Sequence, residues 1–430
     1  MILAGGMILG QSLASAQDID RIINPAEVER IEKILSSDAM EGRRVFTPAI
    51  DRAADFIQQE FGAIGLQKGG NNGNYLQEFF LVKSKLIGAK ISLDGSRLDS
   101  GNLVAVTTKP ELRITQDSGY AKVFIKPGDN FRAQVSKYLQ ADKNLLVFTD
   151  TVFARDLSGL SRMLGQGFSK ETSVVFVLSE TNPDRYDIRL KEEITKSRLA
   201  NVVGILPGKS LKNEYVIFSG HYDHLGIGSP DAKGDSIYNG ANDDASGATA
   251  VIMLARYFKK LDNNQRTLVF VAFTAEEIGG FGSRYFSKQY DPAKVIAMFN
   301  IEMIGTESKW GKNSAYITGY EKSDMGGILE KNLNGSRFSF HPDPYTPQNL
   351  FYRSDNATLA RLGVPAHTIS TSKMEEKPND EPNYHKQSDE IGTLDMINMS
   401  EIIKAIAISS GTIVSGKDSP TRVDTQQLRR

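Results

Sequence analysis

The sequence predicts an α/β protein: a largely parallel mixed sheet flanked by helices on both faces, carrying a mainly β insertion. Three observations predict it. From about residue 201 the chain is built of short, near-continuous apolar runs, "NVVGIL", "YVIFSG" (Tyr215–Gly220), "TLVFVAF" (Thr267–Phe273), "VIAMFNIEM" (Val295–Met303) and "PAHTIS" (Pro365–Ser370). Unbroken rather than alternating apolarity is what strands covered on both faces require. Between these runs lie segments of helical period, the clearest being Ser246–Leu261, with Val251, Leu254, Ala255, Phe258 and Leu261 on one stripe. Residues 87–195 differ in kind, with short strand-like runs such as "AKVFIKPG" and "SVVFVLSE" broken by Gly, Asp, Lys and Pro.

Taken from the start, "MILAGGMILGQSLASAQDID" is apolar and rich in small residues until Asp18, and Ala14-Ser15-Ala16 forms an A-x-A cleavage pattern. It reads as a signal peptide over residues 1–16, although no Lys or Arg precedes Arg21, and it implies export to the periplasm or beyond. Residues 17–86 open the main domain. Within 26–65 two helical patterns follow one another, "PAEVERIEKILSS" and "AIDRAADFIQQEFGAIG", the second ending at Gly65. The insertion (87–195) holds no cluster of reactive side chains, and residues 196–417 form the α/β domain proper. A polar tail, 418–430, closes the chain.

With 430 residues the chain exceeds a single compact core. Its 51 Lys and Arg balance 52 Asp and Glu, a net charge of −1, so no electrostatic case exists for a nucleic-acid partner. No run beyond the leader is apolar enough to span a membrane. Cysteine is absent, so any metal must be held by His and carboxylate. The sequence leaves oligomeric state open.

Ligands of such sheets bind outside the carboxyl ends of the strands. There stand "HYDHLG" after the run ending at Gly220, Glu276 and Glu277 after Phe273, Glu302 in "NIEM", and a loop from Ser370 that reaches His385 in "NYHKQSDE". "NGANDDASG" places Asp243 and Asp244 just before the Ser246 helix. Each feature has a plain explanation alone. An Asp pair before a helix is an ordinary cap, and Glu276–Glu277 is a solvated turn. Glu302 is harder to explain so, because it sits inside an apolar run and an unpaired buried carboxylate is costly. Together, two histidines and several carboxylates at one sheet edge suit a divalent metal such as zinc. Their number exceeds what one tetrahedral zinc needs and fits two metals sharing a carboxylate.

"GHYDHLG", "NGANDDASG", "TAEEIGGFGS", "NIEMIG" and "NYHKQSDE", in this order, resemble the co-catalytic zinc aminopeptidases. That peptidase family also holds glutamate carboxypeptidase, glutaminyl cyclase and the non-enzymatic transferrin receptor. The resemblance covers roughly 26–85 and 196–410. It implies two zinc ions, with His221, Asp243, Glu277, Glu302 and His385 as ligands and Asp243 shared. It implies Glu276 as the general base and Asp223 as the outer carboxylate that orients His221. It implies peptide or protein substrates with a free N-terminus. Alternatives within the family are a carboxypeptidase, for which Arg353 offers a cation, a single-zinc cyclase, and a non-catalytic binding module. Three departures stand out. Glu302 occupies a position more often Asp in the aminopeptidases. Ser354-Asp355-Asn356 stands where many relatives have Ser-Asp-His. The insertion is protease-associated-like by position alone.

Overall fold

The computed structural model describes residues 19–163, 166–374 and 382–428, side chains 161–163 excepted. The expected signal peptide (1–16) lies outside them. Among the described residues no helix is long and apolar enough to cross a membrane. The chain forms two compact units, one of the residues up to Glu78 and from Leu199 onward, the other of Phe79–Arg198.

In the first unit the main sheet runs through β1 (Tyr186–Leu206, by its last residues), β2 (Leu211–His221), β3 (Arg266–Phe273), β4 (Val295–Ile301), β5 (Ser314–Ile317), β6 (Ser339–Pro342) and β7 (Ala366–Ser370), and a two-residue strand, Gln67–Lys68, pairs with the end of β1. Their order is β6-β5-β7-β4-β2-β3-β1. The central four, β7-β4-β2-β3, are mutually parallel, with His221 beside Phe273 and Ile301 beside Ile369. β1 runs antiparallel to β3 and β5 antiparallel to β7, while β6 lies parallel to β5. The sheet is therefore mixed, and its four parallel strands end on one edge.

Successive side chains of a strand point to opposite faces, and here both faces are buried. Val216 and Phe218 of β2, Leu268 and Phe270 of β3, and Ala297 and Phe299 of β4 pack on one side with helices α1 (Pro25–Leu35), α2 (Pro48–Ile64), α3 (Ser246–Leu261) and α7 (Met396–Ser409). Ile217, Val269, Val271, Val295 and Met298 pack on the other with α4 (Phe281–Phe286), α6 (Asn356–Ala360) and the segment bearing Val423 and Leu428. Phe218 stacks on Phe258, Phe270 and Phe299 at 5.0–5.6 Å between ring centres. The helix α5 (Met325–Leu333) completes this unit's helical layer. α3 is buried along nearly its whole length. Gly247 in its first turn lets it approach the end of β4, since a Cβ there would collide with the Ile301 carbonyl and the Asp244 carboxylate.

The second unit has a four-stranded sheet in the order Leu103–Val106, Val174–Leu178, Leu145–Thr149, Ala121–Ile125, the last three mutually parallel. Parallel neighbours need crossovers, and two helices supply them, Phe131–Gln140 and Ala154–Met163. Residues expected to be mainly β are thus joined by helices as well.

Candidate metal centre

β2 ends at His221, whose ring is fully buried. Its Nδ1 faces the Asp223 carbonyl at 3.0 Å. A carbonyl only accepts, so Nδ1 donates to it and Nε2 is the nitrogen left for another partner. Nε2 faces Asp243 Oδ1 at 3.2 Å. The expected orienting partner of His221, the Asp223 carboxylate, stands farther off, 3.8 Å from Nδ1. That carboxylate instead accepts the backbone N–H groups of Glu276 (3.1 Å) and Glu277 (3.3 Å). Asp223 thereby orients the histidine through its main chain and the glutamate turn through its side chain.

Asp243 lies in the irregular turn before α3. Its Oδ2 faces His385 Nε2 at 3.2 Å, so its two oxygens address two different histidines. The turn is held from the far loop: the Asp389 carboxylate accepts the N–H groups of Asn242 (2.8 Å) and Asp243 (3.0 Å). Asp244, expected to cap the helix, also ties neighbouring strand ends together. Its carboxylate accepts from Gly247 N in the first turn of α3 (2.9 Å), from His221 N (3.0 Å) and from Met303 N (3.1 Å).

The glutamate pair sits past the end of β3. Glu277 places Oε1 2.7 Å from His224 Nδ1 and Oε2 3.3 Å from His385 Nε2. Burial first, and then the carboxylates of Glu302, Asp355 and Glu277 against the pull of His221, hold the Glu276 carboxyl well above its ordinary pKa. β4 stops at Ile301, two residues before the expected end, where Met303 turns to φ 55°. Glu302 follows the strand end, its N–H held by the Ile369 carbonyl at 3.2 Å. Burial pushes its carboxyl up to about 7.

The structure thus brings His221, Asp243, Glu276, Glu277, Glu302 and His385 together, with Asp223 behind them. Two donor sets share Asp243. His221, Asp243 and Glu302 each offer an atom within 4.8 Å of the others, and so do His224, Asp243 and Glu277. Buried atoms without a hydrogen-bond partner concentrate here: His221 Nε2, both His224 nitrogens, Glu277 Oε1 and Glu302 Oε2. Orphaned nitrogen and oxygen donors around crowded carboxylates fit zinc, which binds such ligands and offsets their repulsion.

Three residues escaped the sequence reading. His224 was quoted within "HYDHLG" without a role, and its spacing of three from His221 was the available signal. Asp389, four residues past His385, gave none. Arg43, fully buried, donates to the carbonyls of Leu35, Tyr222, Asn239 and Gly240 at 2.6–2.8 Å, which ties together the two loops carrying His221–His224 and Asp243.

A 126-residue stretch is 31% identical to aminopeptidase YwaD of Bacillus subtilis, covering 28% of this chain and 24% of that protein. A 113-residue stretch is 34% identical to a probable zinc metalloprotease of Pyricularia oryzae, covering 26% and 22%. These alignments span about a quarter of the curated relatives' length. Among solved structures, the aminopeptidase from Aneurinibacillus sp. strain AM-1 superposes with a TM-score of 0.53 at 16% identity, over 96% of this chain and 98% of that one. A zinc aminopeptidase from Bacillus subtilis gives 0.52 at 17%, over 92% and 97%. At these identities the likeness establishes the fold. Residues 201–409, which contain every metal-facing side chain described above, match peptidase family M28, and this segment is an M28 family domain.

Proposed function

We propose that the chain is an exported zinc metallopeptidase, an aminopeptidase that hydrolyses the N-terminal peptide bond of peptides or proteins. The observation that carries the reading is the placement of Asp243, whose two oxygens each stand 3.2 Å from a different histidine, His221 and His385. A carboxylate so shared supports two zinc ions, one held by His221, Asp243 and Glu302, the other by Asp243, Glu277 and His385. When bound, such a pair supplies an acidified water and polarises a peptide carbonyl.

The chain's own groups do the rest. Glu276 takes the proton of the attacking water and returns it to the leaving amine. Its raised pKa supports this, because a carboxyl held above its usual range keeps the proton until it is handed on. Asp223, by binding both backbone N–H groups of the pair, fixes Glu276 and Glu277 toward the same edge. The pocket beside Glu302, walled by Tyr316, Arg353, Ser370, Met374 and Tyr384, takes the substrate's first side chain. The apolar leader ending at Ala14-Ser15-Ala16 supports periplasmic or extracellular localisation.

One observation favours a second reading. Arg353 is exposed on that pocket wall and forms no ion pair among the described residues, a disposition that suits a substrate carboxylate and hence a carboxypeptidase. Aminoacyl-nitroanilides assayed beside N-blocked peptides decide between them. Turnover confined to free-amine substrates is expected. Release of C-terminal residues from N-blocked peptides would establish the second reading instead.

A further inference from the structure

We propose that His224 is a ligand of the second zinc, so that four protein groups, His224, Asp243, Glu277 and His385, close that site while the first keeps a position for substrate. The inference rests on the two-zinc reading above and extends it to a residue outside the expected ligand set.

The five histidines of the chain separate by what their nitrogens meet. His367 is satisfied on both sides, by the Thr318 carbonyl at 2.9 Å and the Ser323 hydroxyl at 2.7 Å. His341 reaches Ser339 Oγ at 3.1 Å, and its ring stacks on Trp310. His221 uses Nδ1 on a carbonyl and turns Nε2 to Asp243, while His385 turns Nε2 between Asp243 and Glu277. His224 alone is fully buried with neither ring nitrogen in a hydrogen bond. Leaving such a group buried and unpaired is unfavourable.

Its position suggests what completes it. Nδ1 lies 2.7 Å from Glu277 Oε1, yet the two are not aligned as donor and acceptor, and that oxygen is itself without a partner. Two donor atoms this close that do not point at each other face a common third point. Asp243 Oδ2, 3.9 Å from Nδ1, faces it as well. His385 approaches the same two carboxylates from the other side, its ring edge-on to that of His224 with centres 5.7 Å apart. The His224 ring cannot swing away. Its backbone N–H is bound to the Arg43 carbonyl at 3.3 Å, and Gly240 lies against the ring so closely that a Cβ there would collide with it.

Two imidazoles and two carboxylates fill a tetrahedral set, the arrangement of closed zinc sites, whereas catalytic zinc keeps three protein ligands and an open position. His221, Asp243 and Glu302 are three, and the substrate pocket opens beside Glu302. The asymmetry assigns substrate binding to the first zinc and a holding role to the second.

Cobalt(II) as the probe metal tests this directly. The chain has no cysteine, so in His224→Cys any thiolate-to-cobalt charge-transfer absorption reports that one position. Nδ1 is the ring nitrogen nearer the backbone, and a sulfur on the same Cβ approaches the same point. The expected result is this absorption at one thiolate-bound cobalt per chain. In His224→Gln, chelator competition should show one of two zinc ions weakened 10-fold or more and the other unchanged. Glutamine keeps a donor for Glu277, so a mere hydrogen-bonding role for His224 would leave both affinities in place. Wild-type protein with two zinc ions, no charge-transfer band in the cysteine variant and unchanged affinities in the glutamine variant would overturn the proposal alone. Wild-type protein that binds fewer than two would overturn the two-zinc reading, and this one with it.

Discussion

At the scale of single residues, Glu276 and Glu277 are neighbours with different surroundings. Glu277 touches two histidines, while Glu276 touches neither as a ligand would, and burial followed by the neighbouring carboxylates raises its pKa above the ordinary range. The proposed division of labour follows: Glu277 for metal, Glu276 for the proton. Glu276→Gln is therefore expected to keep its zinc content and lose at least ~100-fold in turnover, the typical contribution of a general base. Zinc analysis beside steady-state kinetics checks both halves, and surviving turnover would remove Glu276 from its role. The residue types at this edge were legible because apolar strands ended in His, Glu and Asp. The contacts of Asp223 were not. Whether its carbonyl or its carboxylate meets His221 depends on how the backbone turns after β2, and no spacing encodes that.

At the scale of elements, the central strands and α3 were legible because burial on every side leaves continuous apolar runs. The two helices of the middle unit were not, since Phe131–Gln140 buries only Phe131 and Val135 and its remaining residues read as a polar connection. Equally hidden was the link from the N-terminal segment to the metal loops. Arg43 reaches Tyr222 and Gly240 across 179 and 197 residues of sequence. Arg43→Met takes a donor from four buried carbonyls, of which that of Gly240 keeps the Ala245 N–H, and a loss of about 3 kcal/mol or more is expected in urea unfolding, with weaker zinc binding. Lysine should rescue little, because a point-like ammonium cannot reproduce the planar fork. Beside it, Glu32 is fully buried and accepts from Thr249 Oγ1 at 2.8 Å. Burial, against the Thr249 hydroxyl and Arg43, pushes its carboxyl from 4.5 up to about 8. Between those values the folded protein holds a proton that the unfolded chain has released, so this group's stabilising contribution is full below the lower value and lost as pH rises through the upper one. Glu32→Gln removes that dependence. Relative to wild type it should gain stability from about pH 5 to about pH 8, by at most about 1.4 kcal/mol per pH unit. A constant offset between the two across that window would show that Glu32 is already charged in the fold.

At the scale of the whole molecule, every metal-facing residue lies between His221 and His385, inside one compact unit, while the other has apolar cores of its own. Metal removal should therefore act on the first unit. There Asp223, Asp243, Asp244, Glu276, Glu277, Glu302 and Asp355 are crowded with few cations of the chain among them, and bound dications stabilise by mass action, about 2.7 kcal/mol at a hundredfold excess over Kd. Chelation should lower the melting transition of that unit in a scanning experiment and leave the other's in place. A stronger test removes the middle unit outright. The chain leaves the first unit after Glu78 and returns at Leu199, and just inside those points the Asn201 side-chain amide donates to Gln77 Oε1 at 2.9 Å. The two ends are side by side, so a short Gly-Ser bridge in place of Phe79–Arg198 closes them at a small entropic cost. Asn201 also donates to the Gly282 carbonyl at 3.0 Å and accepts from Thr274 N at 3.2 Å, anchoring both sides of the glutamate turn from within the retained unit. The shortened chain is expected to fold and to bind zinc in the same ratio as the full chain. Zinc analysis and circular dichroism measure this, and a soluble, folded product without zinc would show that the metal centre depends on the middle unit after all.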